Sequence, residues 1–286
     1  MNEDYYQKHN EEKYDDELWM VIDRSNNKWF AKYVKDVILK RWVSKLKKKD
    51  SLLDAGGGTG NYAYCFKNDF KKIVVLDVSK KVLDRIPEKE FIKIEGSLLE
   101  IPLKDESFDC ILLIDVFEHI APEHLEKLMS ELKRVLTKHG RILIYSSEYG
   151  YAIGLIWKRI LGKKDRLTKS DHFDGHLNRL TFSEVKNLVK KTGLVIDDYY
   201  HYAIFFQQIT DFLKDSFSKI ISSLRGVRKK EGYKKGQHTK ESLKTRENLP
   251  IIKQILFVFS FISYLDIVFF GKWLPGASRF LNLKKR

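Results

Sequence analysis

The side chains with the clearest chemical potential surround a glycine-rich turn. Asp54 ends an apolar run and is followed closely by Gly56, Gly58 and Gly60. Glycine lets the backbone bend sharply and lets a ligand approach it, because no Cβ stands in the way. A carboxylate this close to the turn would repel a pyrophosphate, but it suits a ligand that carries an ammonium group or hydroxyls. The turn predicts a ligand site, although glycine-rich turns alone are weak evidence.

A second carboxylate restricts the class of ligand that the site can bind. The apolar run from Ile73 to Leu76 ends in Asp77. An acid at the end of a second strand is placed to accept hydrogen bonds from both hydroxyls of a ribose. The usual dinucleotide fingerprint is incomplete, because Asn61 stands where its third glycine would be. The pair of acids therefore indicates a nucleoside without a phosphate tail.

Four successive motifs resemble those of the class I S-adenosylmethionine-dependent methyltransferases. The likeness is to the type 11-like group, which is related to quinone-biosynthesis and glycan-cluster methyltransferases. The motifs are Leu53 to Gly60, Val75 to Ser79, Gly96 to Leu103 with Ser107 to Asp109, and Ile114 to Ile120. Their order and spacing match the family, and the likeness covers roughly residues 30–202.

The resemblance implies that the cofactor is S-adenosylmethionine. It assigns cofactor contacts to a set of residues at the ends of the expected strands: Asp54, Gly56, Gly58, Gly60, Asp77, Val78, Ser97, Leu98 and Asp115. One position departs from the family, which usually has an acid where Ser97 stands, in contact with the adenine amino group. A serine hydroxyl can accept that hydrogen bond, but more weakly than a carboxylate.

The order of apolar runs and amphipathic stretches predicts an α/β fold with a doubly wound, Rossmann-like sheet. Six strands are expected, at residues 51–55, 72–78, 91–96, 108–115, 140–147 and 194–202. Ser278 to Lys284 resembles the last strand of the methyltransferase fold, which would complete a seven-stranded, mostly parallel sheet with one antiparallel strand. The expected divisions are a helical lid (1–48), the cofactor-binding core (49–202), a helical insertion (203–275) and the last strand (276–286).

Two helices and a leader flank these strands. Trp29 to Leu46 and Ala121 to Leu136 have apolar residues at helical spacing. The leader before the first helix is polar and aromatic, with Tyr5, Tyr6, Tyr14 and Trp19. In resembling enzymes such a leader often folds over the cofactor, and a frayed terminus with a few anchoring aromatics is the alternative.

Three histidines are candidates for a general base. His119 follows the fourth motif, while His172 and His176 belong to a long connection at residues 149–180. Ligands of open α/β sheets bind outside the carboxyl ends of the strands, so this connection should form a wall of the acceptor site. For single residues such as His176 and Arg179 we favour a simpler role, which is to pin the connection to the sheet. Methyl transfer needs a base only when the acceptor must lose a proton.

The net charge is distributed unevenly along the chain. The sequence up to Gly150 has 26 basic and 27 acidic residues, whereas the sequence from Tyr151 onward has 27 basic and 12 acidic residues. A lysine-rich genome would raise the lysine content of both halves without removing acids from one. The +15 balance of the second half therefore predicts an anionic partner or surface.

The segment from Ile251 to Trp273 is almost entirely apolar. A membrane span is disfavoured, because Asp266 would be costly in a bilayer and a span would separate the last strand from its sheet. Two interpretations remain open. The apolar helices lie in a membrane interface with the basic linker on anionic headgroups, or they form a cap over the acceptor site.

Together these features predict a methyltransferase that acts on an oxygen or carbon of a small hydrophobic, lipid-like or lipid-linked acceptor. An RNA methyltransferase is the alternative, although the fourth motif lacks the Asn-Pro-Pro-aromatic sequence used on flipped bases. A non-catalytic cofactor-binding module is a more distant alternative. Cys65 and Cys110 suggest neither a disulfide nor a metal site. Because the N-terminus is polar and charged, we expect no signal peptide and a cytoplasmic protein, either free or at the inner face of the membrane.

Overall fold

The computed structural model describes residues 30–87, 91–149, 166–167, 175–202, 261, 264–274 and 276–286. Within these residues the chain forms seven strands and several helices. The strands are β1 (Ser51–Ala55), β2 (Lys72–Asp77), β3 (Ile92–Glu95), β4 (Phe108–Ile114), β5 (Leu136–Ser147), β6 (Leu194–Tyr202) and β7 (Ser278–Lys285). The helices are α1 (Phe30–Ser44), α2 (Asn61–Cys65), α3 (Lys80–Leu83), α4 (Leu125–Val135) and α5 (Phe182–Lys191). Two 3-10 turns follow β4, at Phe117–His119 and Pro122–His124, and residues 264–270 are helical.

The strands form one sheet in the order β3-β2-β1-β4-β5-β7-β6. All neighbouring pairs are parallel except those of β7, which runs antiparallel to both β5 and β6. Strands β5 and β6 are therefore parallel to each other, and Ser147 and Tyr202 at their ends both pair with Ser278. This topology confirms the predicted α/β sheet with its antiparallel last strand. It also brings the ends of β1, β2, β4, β5 and β6 to one edge, which we call the carboxyl edge.

Both faces of the sheet are covered, as parallel sheets require. Leu53 faces the apolar core formed with α4 and α5, while its neighbour Leu52 faces the core formed with α1. Helix α1 is fixed to β6 through Trp42, whose indole N–H donates to Asp198 at 2.8 Å and whose ring stacks on Tyr200. The helix that precedes the first strand is thus part of the folded core.

Two predicted boundaries were wrong. Strand β5 begins at Leu136 rather than at residue 140, because Leu136 already pairs with Phe108 before a bulge shifts the register. The α-helical part of the expected Ala121 to Leu136 helix begins at Leu125, after a 3-10 turn that starts with Pro122. Residues 1–29 of the predicted lid (1–48), most of the 149–180 connection and most of the 203–275 insertion lie outside the described residues. Among the described residues, no helix combines the length and the apolar character that crossing a membrane requires.

Candidate active site

The glycine turn between β1 and α2 is fastened to the end of β2. The N–H groups of Gly56 and Gly57 both donate to the carbonyl oxygen of Leu76, at 2.8 and 3.2 Å. Gly56 has φ +69°, and a Cβ there would lie 2.7 Å from the side chain of Val116 after β4. A Cβ at Gly57 would lie 2.7 Å from the carboxyl carbon of Asp54. The turn therefore depends on glycine, which matches a backbone cradle for a ligand.

Asp54 lies buried beneath this turn. Its Oδ2 accepts a hydrogen bond from the N–H of Ala63, at 3.0 Å, in the first turn of α2. Burial raises the pKa of the Asp54 carboxyl to about 7, the Ala63 hydrogen bond opposes the increase, and the nearby Asp77 adds to it. The carboxyl thus supports the turn from below, and its predicted contact with the ligand stays a prediction.

Asp77 is buried at the end of β2, beside the same turn. Its Oδ2 accepts from the N–H of Gly58 at 3.0 Å, and its Oδ1 accepts from the N–H of Ser79 at 2.9 Å. Burial raises the pKa of Asp77, while these backbone hydrogen bonds oppose the rise. A carboxylate oxygen has a second lone-pair position, so each oxygen can also accept from a hydroxyl. The glycine cradle and this carboxylate together fit a ribonucleoside, and the ribose contact itself stays a prediction.

The third motif adjoins the second at the carboxyl edge. Gly96 donates its N–H to the carbonyl oxygen of Asp77 at 3.0 Å, directly after the paired strands β2 and β3 end. Ser97 follows, and its hydroxyl accepts from the N–H of Leu99 at 3.0 Å. Leu98 is buried between them, and Val78 is half-buried next to Asp77. The residues predicted to bind the cofactor thus meet at neighbouring strand ends.

Asp115, the last predicted cofactor residue, forms an ion pair that the sequence analysis missed. Its carboxylate contacts the ammonium of Lys35 on α1 at 2.5 Å, and this ammonium also lies 4.0 Å from the centre of the Tyr145 ring. Burial lowers the Lys35 pKa, but Asp115, Tyr62 and Glu118 together outweigh burial, so the Lys35 pKa is raised overall. Asp115 itself has φ +56°, an uncommon conformation for a residue other than glycine. No local pattern reveals a pair separated by 80 residues.

Glu118 is a buried carboxyl in the 3-10 turn that follows β4, at the carboxyl edge. Its Oε1 accepts weakly from the N–H and the hydroxyl of Ser147, both at 3.4 Å. Its Oε2 has no hydrogen-bond partner among the described residues. Burial raises the pKa of Glu118, and Asp115 adds to the rise, while His176 and Lys35 oppose it. A carboxyl with a raised pKa and an unpaired oxygen is suited to accept a proton or a hydrogen bond from a ligand.

Two of the three predicted histidines lie beside Glu118. His119 Nδ1 is 3.2 Å from the carbonyl oxygen of Gly175, and the rings of His119 and His176 meet edge to face with centres 4.9 Å apart. The N–H groups of Leu177 and Asn178 donate to the carbonyl oxygen of Glu118, which fixes this loop to the fourth motif. His172 lies outside the described residues. The catalytic roles of all three histidines stay predictions.

A buried ionic cluster supports this side of the site. Glu148, His201 and Arg279 are almost completely buried at the ends of β5 and β6 and the start of β7. His201 Nδ1 lies 2.6 Å from Glu148 Oε2, and Arg279 donates to the carbonyl oxygen of Ser147 at 3.1 Å. Arg179 donates to the carbonyl oxygen of Glu148 at 3.0 Å, so it pins the 149–180 connection to the sheet as expected.

Similar proteins identify the family. A sequence profile of the methyltransferase domain matches residues 53–144. An uncharacterized protein of Methanocaldococcus jannaschii is 31% identical over 173 residues, which cover 58% of this chain and 76% of that protein. The chain belongs to the class I S-adenosylmethionine-dependent methyltransferases. Their cofactor is S-adenosylmethionine, which agrees with the glycine turn and Asp77.

Other relatives of this methyltransferase match over shorter parts. Another uncharacterized Methanocaldococcus jannaschii protein is 32% identical over 142 residues, which cover 49% of this chain and 58% of that protein. The ubiquinone/menaquinone biosynthesis C-methyltransferase of Francisella tularensis subsp. novicida is 29% identical over 114 residues, which cover 35% of this chain and 44% of that enzyme. The chain thus spans less than two thirds of the length of these two relatives.

A solved structure has the same fold as this methyltransferase. The S-adenosylmethionine-dependent methyltransferase of Archaeoglobus fulgidus superposes with a TM-score of 0.53 at 15% identity, and the alignment covers 94% of this chain and 99% of that one. At this identity the likeness concerns the fold alone.

Proposed function

We propose that this methyltransferase transfers a methyl group to an oxygen or carbon of a small hydrophobic, lipid-like or lipid-linked acceptor. The observation that carries the proposal is the juxtaposition of two polar groups at the carboxyl edge. The glycine turn with Asp77 would hold the nucleoside, and the buried Glu118 Oε2, which has no hydrogen-bond partner among the described residues, lies near His119 and His176. One relative is named as a quinone C-methyltransferase, which supports an acceptor of this class.

In this proposal Asp77 and the glycine turn bind the methyl donor, and Glu118 takes part in proton transfer. When bound, S-adenosylmethionine supplies a methyl group that is activated because it is bonded to a sulfonium sulfur, which is a good leaving group. Asp77 would hold the ribose, and the glycine turn would admit the ligand against the backbone. As the new bond to the acceptor forms, the acceptor oxygen or carbon loses its proton, and Glu118 can receive that proton at Oε2. Most of the rate would come from alignment and from exclusion of water.

Two measurements test the proposal. Asp77→Ala should abolish S-adenosylmethionine binding in isothermal calorimetry, while Asp84→Ala, an exposed acid in a surface pair with Lys80, should leave it unchanged. An extract of native lipids incubated with the protein and a labelled methyl donor should yield a labelled lipid. Labelling of water-soluble compounds alone, or equal donor binding by both variants, would contradict the proposal.

RNA is the second candidate acceptor, since the +15 balance of the second half would favour phosphate contacts. A gel-shift titration with structured RNA at physiological salt discriminates between the two. Tight RNA binding together with methyl transfer to RNA, and no labelled lipid, would favour this second candidate.

A further inference from the structure

The exposed large hydrophobic side chains of the described residues are concentrated near the end of the chain. Trp273 is 81% exposed, Phe269 is 63% exposed, and Phe261 and Val268 are each about half exposed. We call these four residues the aromatic face. Elsewhere in the described ranges, Ile92 at the edge strand β3 is the one large hydrophobic residue with comparable exposure, at 47%. Large apolar side chains exposed together in one stretch of chain are candidates for an interaction surface.

The segment that carries this face is anchored to the sheet. Ile267 is buried in the core beside Tyr202 and Phe280. The carbonyl oxygen of Gly271 accepts from the N–H of His201 at 2.7 Å, and the carbonyl oxygen of Lys272 accepts from the hydroxyl of Tyr199 at 3.2 Å. The aromatic face therefore projects from a supported segment and is available as a preformed surface.

The segment that carries the aromatic face contacts the end of β6, at the carboxyl edge. His201 and Tyr202 end β6, and Tyr202 pairs with Ser278 opposite Ser147 at the end of β5. Ser147 in turn contacts the carboxyl of Glu118. A partner that covers the aromatic face would thus meet the carboxyl edge at β6, the outermost strand on this side of the sheet.

We propose that the aromatic face docks this protein on an anionic lipid bilayer. Tryptophan and phenylalanine insert favourably at the boundary between headgroups and acyl chains. The half of the chain from Tyr151 onward, which includes the aromatic face, has a net charge of +15, and this charge attracts anionic headgroups. Apolar side chains and basic charge together are what interfacial binding needs, and docking at this edge presents a lipid-like acceptor to Glu118. That last consequence rests on the proposed function, whereas docking itself does not.

Co-sedimentation with vesicles tests the docking. Wild-type protein should sediment with vesicles that contain phosphatidylglycerol and much less with pure phosphatidylcholine. Phe269→Ser/Trp273→Ser should weaken binding by about 100-fold, in keeping with the loss of two large apolar side chains from the interface. Ile92→Ser removes a half-exposed hydrophobic residue from another edge of the sheet and should bind like the wild type.

Three results would overturn the docking proposal. They are wild-type protein that stays in the supernatant, a double variant that binds vesicles as the wild type does, and a dimer that the double variant dissociates without any vesicle binding. The third would assign the face to a second copy of the chain. Calorimetry with S-adenosylmethionine separates this proposal from the proposed function. A protein that binds vesicles but not S-adenosylmethionine would support the docking proposal and contradict the proposed function. A protein that binds S-adenosylmethionine but not vesicles would contradict the docking proposal and leave the proposed function standing.

Discussion

Glu118 and Asp77 are both buried acids at the carboxyl edge, but their hydrogen bonding differs. Both oxygens of Asp77 accept from backbone N–H groups, which fixes the orientation of the carboxylate toward a ligand. Glu118 has one oxygen without a partner among the described residues, and its pKa is raised by burial and by Asp115. Burial and a neighbouring carboxylate favour the protonated form of an acid, so this carboxyl holds a proton more readily than an exposed glutamate does. At the scale of single residues, one acid therefore suits binding and the other suits proton transfer.

The variant Glu118→Gln tests whether Glu118 acts in proton transfer rather than in donor binding. The amide keeps the size of the side chain but cannot accept the acceptor's proton, so we expect kcat to fall about 100-fold. The dissociation constant of S-adenosylmethionine should stay within about threefold of the wild type, because the lost function is proton transfer and not donor binding. Steady-state assays and calorimetry measure the two quantities, and Glu123→Gln, an exposed neighbour, is the control. An equal loss of donor affinity and rate would instead assign Glu118 to cofactor positioning.

Asp54 gives the stability of the fold a dependence on pH. The pKa of its carboxyl is about 7 in the folded protein and near the ordinary value of 3.8 in the unfolded chain. Between these values the unfolded chain has released the proton and the folded protein retains it. The free energy of unfolding therefore falls as pH rises through this window, by up to about 1.4 kcal/mol per pH unit, and levels off above pH 7.

Asp54→Asn should remove this dependence, because the amide oxygen can still accept the Ala63 hydrogen bond but does not titrate. Urea unfolding at pH 5 and pH 8 measures the effect. We expect the stability of the wild type, relative to the variant, to decrease by up to about 3 kcal/mol over this interval. Asp84→Asn on the surface should show no such change, and a wild type that gains stability relative to Asp54→Asn would refute the assignment.

At the scale of elements, α1 is tied to the end of β4 by the Lys35–Asp115 pair. This helix lies outside residues 53–144, so the motifs of the family carry no information about it. Lys35 is nearly buried and Asp115 is half exposed, so solvent screens the pair and we assign it a positioning role rather than a large stabilisation. The pair holds Asp115 in its left-handed conformation beside Val116, which packs against the glycine turn.

Lys35→Met keeps an unbranched side chain but removes the ammonium that contacts Asp115 and the Tyr145 ring. We expect the dissociation constant of S-adenosylmethionine to rise about 3- to 10-fold and the free energy of unfolding to fall by about 1 kcal/mol. Since Lys35 acts through Asp115, adding Asp115→Asn should weaken binding little further. Lys40→Met, exposed on the same helix, is the control. Additive losses in the double variant would show that Lys35 acts independently of Asp115.

The sequence predicted the elements well where local patterns determine them. Apolar runs that end in an acid or a glycine located β1 and β2, and thereby Asp54, Asp77 and the glycine turn. The start of β5 at Leu136 was missed, because Thr137 to Gly140 is polar and turn-like, and Leu136 joins β4 only through its pairing with Phe108 ahead of a bulge. The Glu148–His201 contact was missed for a related reason, since it joins residues 53 positions apart. Local composition thus located the carboxyl ends of β1 and β2. The start of β5 and the partners of buried charges depend on the tertiary fold.

At the scale of the whole molecule, the connection between β6 and β7 begins and ends at one point. Tyr202 ends β6 and pairs with Ser278, which begins β7. The chain between them therefore leaves the carboxyl edge and returns to it without interrupting the sheet. Such a connection can acquire a separate binding property while the cofactor core stays unchanged. The aromatic face and the excess basic charge both belong to the half of the chain that begins at Tyr151.

The charge distribution predicts how binding to vesicles depends on salt. If the +15 half attracts anionic headgroups, raising the salt concentration from about 0.1 M to about 1 M shortens the screening length from about 10 Å to about 3 Å and should weaken binding to phosphatidylglycerol vesicles at least about tenfold. The contribution of Phe269 and Trp273 is apolar and should persist at high salt, so the double serine variant should remain weaker than the wild type under both conditions. Sedimentation at the two salt concentrations measures both contributions separately. Binding that is equal at both concentrations would remove the role of charge and leave the apolar contribution, because hydrophobic burial does not depend on screening.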